Sequence, residues 1–282
     1  FRPVSDGNQA VNALRTGEVN VATSLTGEAV QVARDDDTVK LLEMPGLHVS
    51  YLYFNMVNGP TKDPKVREAL IKAVNVEELT GGVYQYGEAV PASLPLPPGS
   101  WGYDEAVKAE VPTYDPEAAK ALLAEAGYPD GFTTKINTPE GRYAMDRQVA
   151  EAIQAMLSQV GITAEVNVLD WGAYTEAAAA GDTEIFLLGK GCATGDLAQD
   201  LMYNYRTGEL QNYTFYSNPE YDKVCEEQQR TADENARKEL LYKMQDIIHE
   251  DRASIILYYE NQTFGTRADV SGLVIYPNET IE

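Results

Sequence analysis

The sequence predicts an α/β fold, a mixed β-sheet flanked by helices, and three observations point that way. Apolar residues recur at three- and four-residue spacing in several separate stretches, each closed by glycine or opened by an Asx-Pro pair. Short runs rich in Val, Ile, Leu and Tyr stand between those stretches, as strands do between packed helices. At 282 residues the chain can bury roughly 70–75% of the surface its unfolded form exposes, enough for a layered core without a disulfide framework.

In chain order, AVNALRTGE (10–18) reads as a short helix, VNVATSL as a strand, and TGEAVQVARDD as a second helix with Thr26 as its expected cap. VKLLEMPGLHVSYLYFN (39–55) reads as two strands broken at Pro45-Gly46. Val49, Tyr51 and Tyr53 alternate there with Ser50, Leu52 and Phe54, so both faces are largely apolar and the strand is expected to be buried or to connect layers. Asp63-Pro64 opens a helix whose Val66, Ala69, Leu70, Ala73 and Val74 form one stripe. Residues 91–102 carry prolines at 91, 95, 97 and 98, and the large rings of Trp101 and Tyr103 favour an ordered loop over a linker.

The most fully punctuated helix lies in YDPEAAKALLAEAGYPDGF (114–132). Asp115 caps it, Pro116 takes the first helical position, Ala118, Leu122, Leu123 and Ala126 share a face, and Gly127 ends it before Pro129. Residues 147–160 give another stripe, Val149, Ile153, Met156, Leu157 and Val160, stopped by Gly161 and followed by the strand ITAEVNVLD. Residues 171–180 are Ala-rich and helical, GDTEIFLLGKG turns into an apolar strand, and Asn218-Pro219 caps a helix starting at Glu220. Residues 237–249, striped through Leu240, Leu241, Met244 and Ile248, feed the strand ASIILYYEN. There is no internal repeat and no low-complexity tract.

Charge narrows the function. With 22 basic against 44 acidic side chains, a net charge of −22 and a pI near 4.4, the chain repels nucleic acid and anionic lipid, and no nucleic-acid partner is expected. Cys192 and Cys225 are too few for a thiolate-rich metal site and can either bridge or stay free and buried. His48 and His249 share no metal-ligand spacing, so neither a metal nor a cofactor is expected. No apolar run approaches the ~20 residues of a membrane span. The chain opens on FRPVSDGNQ without an export signal, as though partway through a larger protein.

Five blocks in one order resemble the family 5 solute-binding proteins of ABC importers, the peptide, dipeptide and nickel group. They are LLEMPGLHVSYLYFN with KDPKVREALIKAVN, PLPPGSWGYD, YDPEAAKALLAEAGYPDGF, LDWGAYTEAAAAGDTEIFLLGKGCATGD, and YSNPEYDKVCEEQQRTADENARKELLYKMQDIIHED. The resemblance spans about residues 10–275 and is nearest to the dipeptide and oligopeptide branch. It implies a periplasmic-binding-protein-like type II fold of two lobes that close on a ligand, of which this chain looks like a carboxy-terminal fragment. Residues 1–47 are then a remnant of the first lobe, 48–261 the second lobe, and 262–282 a return crossing with more of the first. The implied partners are a short peptide or other small solute and the permease subunits of an ABC importer, with the binding protein a monomer. The implied location is extracytoplasmic, in the periplasm or on the outer face of the membrane, with a lipid anchor in the full-length precursor.

The resemblance also turns Trp171 and the segment 189–196 toward the ligand. A peptide brings a buried ammonium and a buried carboxylate, each costly unless paired, so its site needs one carboxylate and one cation. Asp196 and Lys190 could supply them, with Cys192 and Thr194 beside them. Asp196 could equally cap a helix or turn in ATGDLAQDL. Lys190 could be a surface lysine at a strand end; it stands where the family often has tryptophan, which points to a ligand other than an ordinary dipeptide. Trp171 can stack on a ligand or pack in the core. Asn55 can bond the ligand or the backbone of a hinge. Ser24 and Thr26 sit in a strand-to-helix loop of the kind that reaches a cleft.

Among ligands, oligosaccharides are the runner-up, since 18 tyrosines and two tryptophans provide stacking surface. An enzyme with Cys192 or a serine as nucleophile and His249 as base is the second class, disfavoured by the lack of GxSxG and by the acidic neighbours Glu250 and Asp251. A third class keeps the fold as a surface interaction protein without transport.

Overall fold

Two long strands organise the chain, each reaching from one apolar cluster to another. The structure, a computed structural model, describes residues 2–4, 6–95, 97–98, 100–103, 113–192, 194–278 and 280–282. Ala193 of the segment 189–196 and Leu96, Gly99 and Asp104 of the proline-rich stretch lie outside the described residues. The elements are α1 (Gly7–Arg15), β1 (Val21–Ala22), α2 (Glu28–Arg34), β2 (Val39–Phe54), α3 (Pro64–Ala73), α4 (Val76–Val83), β3 (Ala89–Pro91) and α5 (Pro116–Glu125). They continue with β4 (Thr133–Pro139), α6 (Asp146–Ser158), β5 (Thr163–Leu169), α7 (Trp171–Ala180), β6 (Ile185–Gly191), α8 (Leu197–Tyr205), α9 (Pro219–Arg230), α10 (Glu234–Glu250) and β7 (Ser254–Arg267).

Among the described residues one mixed sheet runs β1-β7-β2-β6-β4-β5, with β3 also on β7. β4 lies parallel to β5 and β6, and the other pairs are antiparallel. The period of two along β2 sorts its side chains. Leu52 and Phe54 enter one core with Ile185, Leu187 and the stripes of α3 and α6, while Val49, Tyr51 and Tyr53 enter another with Phe186, Leu188 and the apolar faces of α8, α9 and α10. A third, smaller cluster is built from α1, α2 and the start of β2.

The punctuation of α5 is realised: Asp115 accepts the Ala118 N–H at 2.9 Å, and Gly127 sits in the left-handed region at φ 92°. Its face is set by Ala119 and Leu123, which are buried, with Leu122 and Ala126 packed at their flank. In α3 all five stripe residues are sealed from solvent.

Two local readings change, and two that were open are decided. β2 is one strand of 16 residues, not two. Its pairing with β7 continues to Pro45 opposite Asn261 and resumes at Val49 opposite Tyr259, so Pro45-Gly46 makes an irregularity within a ladder instead of ending it. Gly46 lies so near the Glu260 carbonyl that a Cβ would meet it at 2.8 Å. The cap of α2 is Gly27, at φ 63°, and not Thr26. Of its two capping readings Asp196 takes the helical one, as the N-cap of α8. Cys192 and Cys225 are both free and buried.

Candidate functional site

Among the described residues, the carboxy-terminal end of β6 is where the sheet is left incomplete. β6 pairs with β2 from Ile185 to Gly191, but with β4 only at Ile185 and Phe186. Beyond Phe186 its second edge meets side chains: the Tyr174 hydroxyl donates to the Leu187 carbonyl and the Tyr143 hydroxyl to the Gly189 carbonyl at 3.1 Å. The Tyr143 ring lies flat enough on Gly189 that a Cβ there would come to 2.7 Å, which is why a glycine stands at this point. Burial pushes the Tyr143 phenol up to about 12, so it stays a donor at any physiological pH.

Asp170 caps α7 through the Gly172 and Ala173 N–H groups, at 3.0 and 3.1 Å, and so fixes Trp171 at the first position of the helix. The Trp171 ring stacks on Tyr174 at 5.6 Å and meets Tyr143 edge-on at 6.4 Å, yet the residue stays 40% exposed. Asp146, at the start of α6, accepts the backbone N–H groups of Arg142 and Tyr143 at 3.0 and 3.4 Å and shapes the turn before that helix. The turn lays the Arg142 guanidinium over both rings, 5.1 Å from Trp171 and 5.4 Å from Tyr143. Among the described residues that guanidinium has no ion pair and no hydrogen bond.

Arg142 and Tyr143 border a cavity of about 470 Å³ whose other walls come from the β1–α2 loop (Thr23, Ser24, Thr26), from β2 (Gly46, His48) and from β7 (Glu260, Gln262). Ser24 holds φ 55° there. Glu260 accepts from the Ser50 hydroxyl at 2.9 Å and has the His48 ring nitrogen at 3.7 Å. The Gln262 amide oxygen is buried without a donor among the described residues. Glu88, also in the wall, is occupied by the N–H groups of Gly27 and Tyr86 at 2.7 and 3.0 Å. The cavity therefore offers an uncompensated cation on one side and oxygen acceptors on another.

The sequence-predicted residues divide among several places. Ser24 and Thr26 line this cavity, while Trp171 does not line it but lies beneath Arg142, which does. Lys190 leaves β6 on the face opposite Gly189, one residue past the Tyr143 contact, where Nζ donates to Gln211 at 2.9 Å and sits 5.8 Å from the Tyr213 ring. Burial holds its ammonium down to about 8, opposed in part by Asp200. Cys192 is buried against the Asp196 carbonyl, and burial pushes its thiol up to about 12, away from nucleophilic use.

Thr194 and Asp196 line a different, open groove of about 860 Å³. Asp196 is occupied there: one oxygen caps α8 through the Ala198 N–H at 2.9 Å, the other pairs with Arg237 at 2.8 Å. Asn55 lies at the far end of β6, about 20 Å from Lys190 along the strand, fully buried. Its amide nitrogen donates to the carbonyls of Gly181 and Thr183 and its oxygen takes the N–H groups of Val57 and Asn58.

Arg142, Glu260 and Gln262 were not singled out by sequence reasoning. Arg142 sits in a polar turn without periodicity, and only the packing of Tyr143 on Gly189 brings it to the rim. His249 borders a separate depression with Glu68, Lys72 and Arg252, so the Cys192–His249 pairing considered for an enzyme is not assembled. Among the described residues no three His, Cys, Asp or Glu side chains converge as a metal site, and no helix is long and apolar enough to cross a membrane.

Comparison with known proteins agrees with this geometry. The model of the bacterial extracellular solute-binding proteins, family 5 Middle, matches residues 1–212. The chain is 33% identical over 252 residues to the dipeptide-binding protein of Escherichia coli (strain K12), covering 86% of this chain and 46% of that protein. It is 32% identical over 288 residues to the glutathione-binding protein GsiB of Pectobacterium atrosepticum, covering 99% of this chain and 55% of that protein. The periplasmic binding protein DppA from Helicobacter pylori, an ABC transporter-associated protein solved in complex with the peptide STSA, superposes with a TM-score of 0.86 at 29% identity, covering 96% of this chain and 53% of that one. The chain thus spans about half the length of the curated relatives it matches, and its fold is that of periplasmic binding proteins. With a family model across most of its length and relatives this similar, the chain belongs to the bacterial extracellular solute-binding proteins of family 5.

Proposed function

We propose that this chain supplies most of the binding site of a two-lobed substrate-binding component of an ABC importer, which captures a short peptide outside the cytoplasm and delivers it unchanged to a membrane permease. Residues 48–261 would form one lobe, and 1–47 with 262–282 part of the other, β2 and β7 serving as the crossings between them. A ligand touching both sides favours the closed form by its differential affinity for it.

One observation carries the choice of a peptide: among the described residues, the Arg142 guanidinium has no ion-pair or hydrogen-bond partner and is stacked on two rings beside a strand edge that no strand covers. A peptide carboxylate pairs with such a guanidinium in two parallel hydrogen bonds, and a peptide backbone extends an open edge. Glu260 and Gln262 supply acceptors suited to the ammonium end. The dipeptide-binding and glutathione-binding names of the relatives favour the same class.

Calorimetry on the two-lobed protein with di- to pentapeptides, their carboxy-terminal amides and oligosaccharides tests the reading. Free-acid peptides should bind and the amides should lose about a hundredfold in affinity. Binding of oligosaccharides without binding of peptides would overturn it.

A further inference from the structure

We propose that Lys190 reads a second negative charge on the ligand, so that the site selects short peptides with an acidic side chain over neutral peptides of the same length. The inference rests on the peptide reading above and adds the side chain to it.

Two cations flank the open end of β6, Arg142 at the cavity and Lys190 on the opposite face of the strand beside Gln211 and Tyr213, and one terminal carboxylate satisfies one of them. Arg142 takes that role, being stacked at the mouth of the cavity. Lys190 is tied to the same corner through the backbone, since the Tyr143 ring that carries Arg142 is bonded to the carbonyl of Gly189, the residue immediately before Lys190. The surroundings of Lys190 are those of a cation awaiting an anion. Its one hydrogen bond goes to the neutral amide of Gln211, its other neighbour is the Tyr213 ring, and no carboxylate lies within ion-pair distance among the described residues. Asp200, the acidic group that acts on it, lies beyond ion-pair distance, and burial raises its own carboxyl.

Other buried or partly buried cations are completed within the protein, Arg67 by four backbone carbonyls. The chain carries twice as many acidic as basic side chains, and the partly buried Arg206, Arg237 and Arg252 each hold a carboxylate. Leaving Lys190 with an amide in so acidic a protein, half-buried and short of water, is costly unless something outside the protein completes it. A carboxylate on the ligand completes it and gains the strength of a charge-assisted hydrogen bond. A neutral side chain at the same point displaces water from the ammonium without replacing it.

The test is calorimetry on the two-lobed protein with alanine di- and tripeptides carrying Glu or Gln at each position in turn. At one position the Glu peptide should bind about tenfold tighter or more. Lys190→Gln should level the pair while keeping the Gln peptide, and Lys190→Glu should make the corresponding Lys peptide the tighter ligand. Equal binding of Glu and Gln peptides by the wild-type protein at every position would overturn the inference and leave peptide capture standing. Failure of every peptide to bind would instead remove the peptide reading, and the inference with it.

Discussion

The two ends of β6 are made of the same seven-residue strand and follow opposite rules. At Ile185 and Phe186 the strand has a neighbour on each side, its side chains are sealed in two cores, and the buried Asn55 satisfies the surrounding backbone with four hydrogen bonds. From Leu187 to Gly191 one neighbour is missing, tyrosine hydroxyls stand in for it, and two cations lie without carboxylate partners among the described residues. The closed end spends its interactions on the fold. The open end holds some in reserve, and interactions kept in reserve are what a ligand can use.

The largest effect that would sharpen this contrast is at the closed end. Phe186 is sealed between Tyr53 at 5.5 Å and the apolar faces beneath it, so Phe186→Ala should lower unfolding free energy by about 3–5 kcal/mol in a denaturant titration. A cost below ~1 kcal/mol would mean that the closed end is no better packed than the open one. At the open end the expectation reverses. Arg142→Met should leave the denaturation midpoint nearly unchanged, because the guanidinium makes no hydrogen bond to the described residues, while peptide affinity falls about a hundredfold. Loss of stability with retained binding would erase the distinction between the two ends.

How much of this was legible follows the same division. The closed side of the molecule is written in local signals: Asp115, Pro116 and Gly127 punctuate α5, and Val66, Ala69, Leu70, Ala73 and Val74 reach the core as their spacing requires. The alternation in β2 told correctly that both faces are buried. What local signals missed is what tertiary contacts decide. Pro45-Gly46 reads as a break until β7 lies beside it, and Thr26 reads as a cap until Glu88, 61 residues away, takes the Gly27 N–H. Asp196 shows why a capping pattern and a ligand pattern are hard to separate: a carboxylate before an apolar run fits both, and here it caps α8 and pairs with Arg237. Arg142 had no signal at all. Its role arises where a turn, a helix start and a strand edge meet, segments separated by about thirty to fifty residues.

A smaller effect tests whether the open edge is shaped by its substitutes. Tyr143→Phe removes only the bond to Gly189 and keeps the ring under Arg142. Stability should fall by about 1 kcal/mol, and peptide affinity by severalfold as the edge loosens. A tenfold gain in affinity would show that the hydroxyl competes with the ligand for that carbonyl, and the edge would then be blocked instead of held open.

The smallest effect concerns Lys190 without any ligand. Its ammonium is held down to about 8 from an ordinary 10.5, chiefly by burial, so the folded protein releases this proton before the unfolded chain does. Below about pH 8 the lysine is charged in both states and the fold bears the cost of desolvating it. Between pH 8 and 10.5 the unfolded chain holds more protons, so the contribution of Lys190 to stability rises with pH, and above that window the gain is complete. The buried tyrosines, whose phenols are also pushed up, work the other way at high pH, which is why the measurement is a difference between wild type and Lys190→Met, in which they cancel. That difference should move in favour of the wild type by about 1 kcal/mol from pH 7.5 to 10, discounted for the partial exposure of the side chain. A flat difference would mean that water already completes the ammonium, and the open end of β6 would hold one cation in reserve rather than two. With a saturating acidic peptide the rise should disappear, because a carboxylate beside Lys190 restores its proton affinity and removes the gap that drives the change.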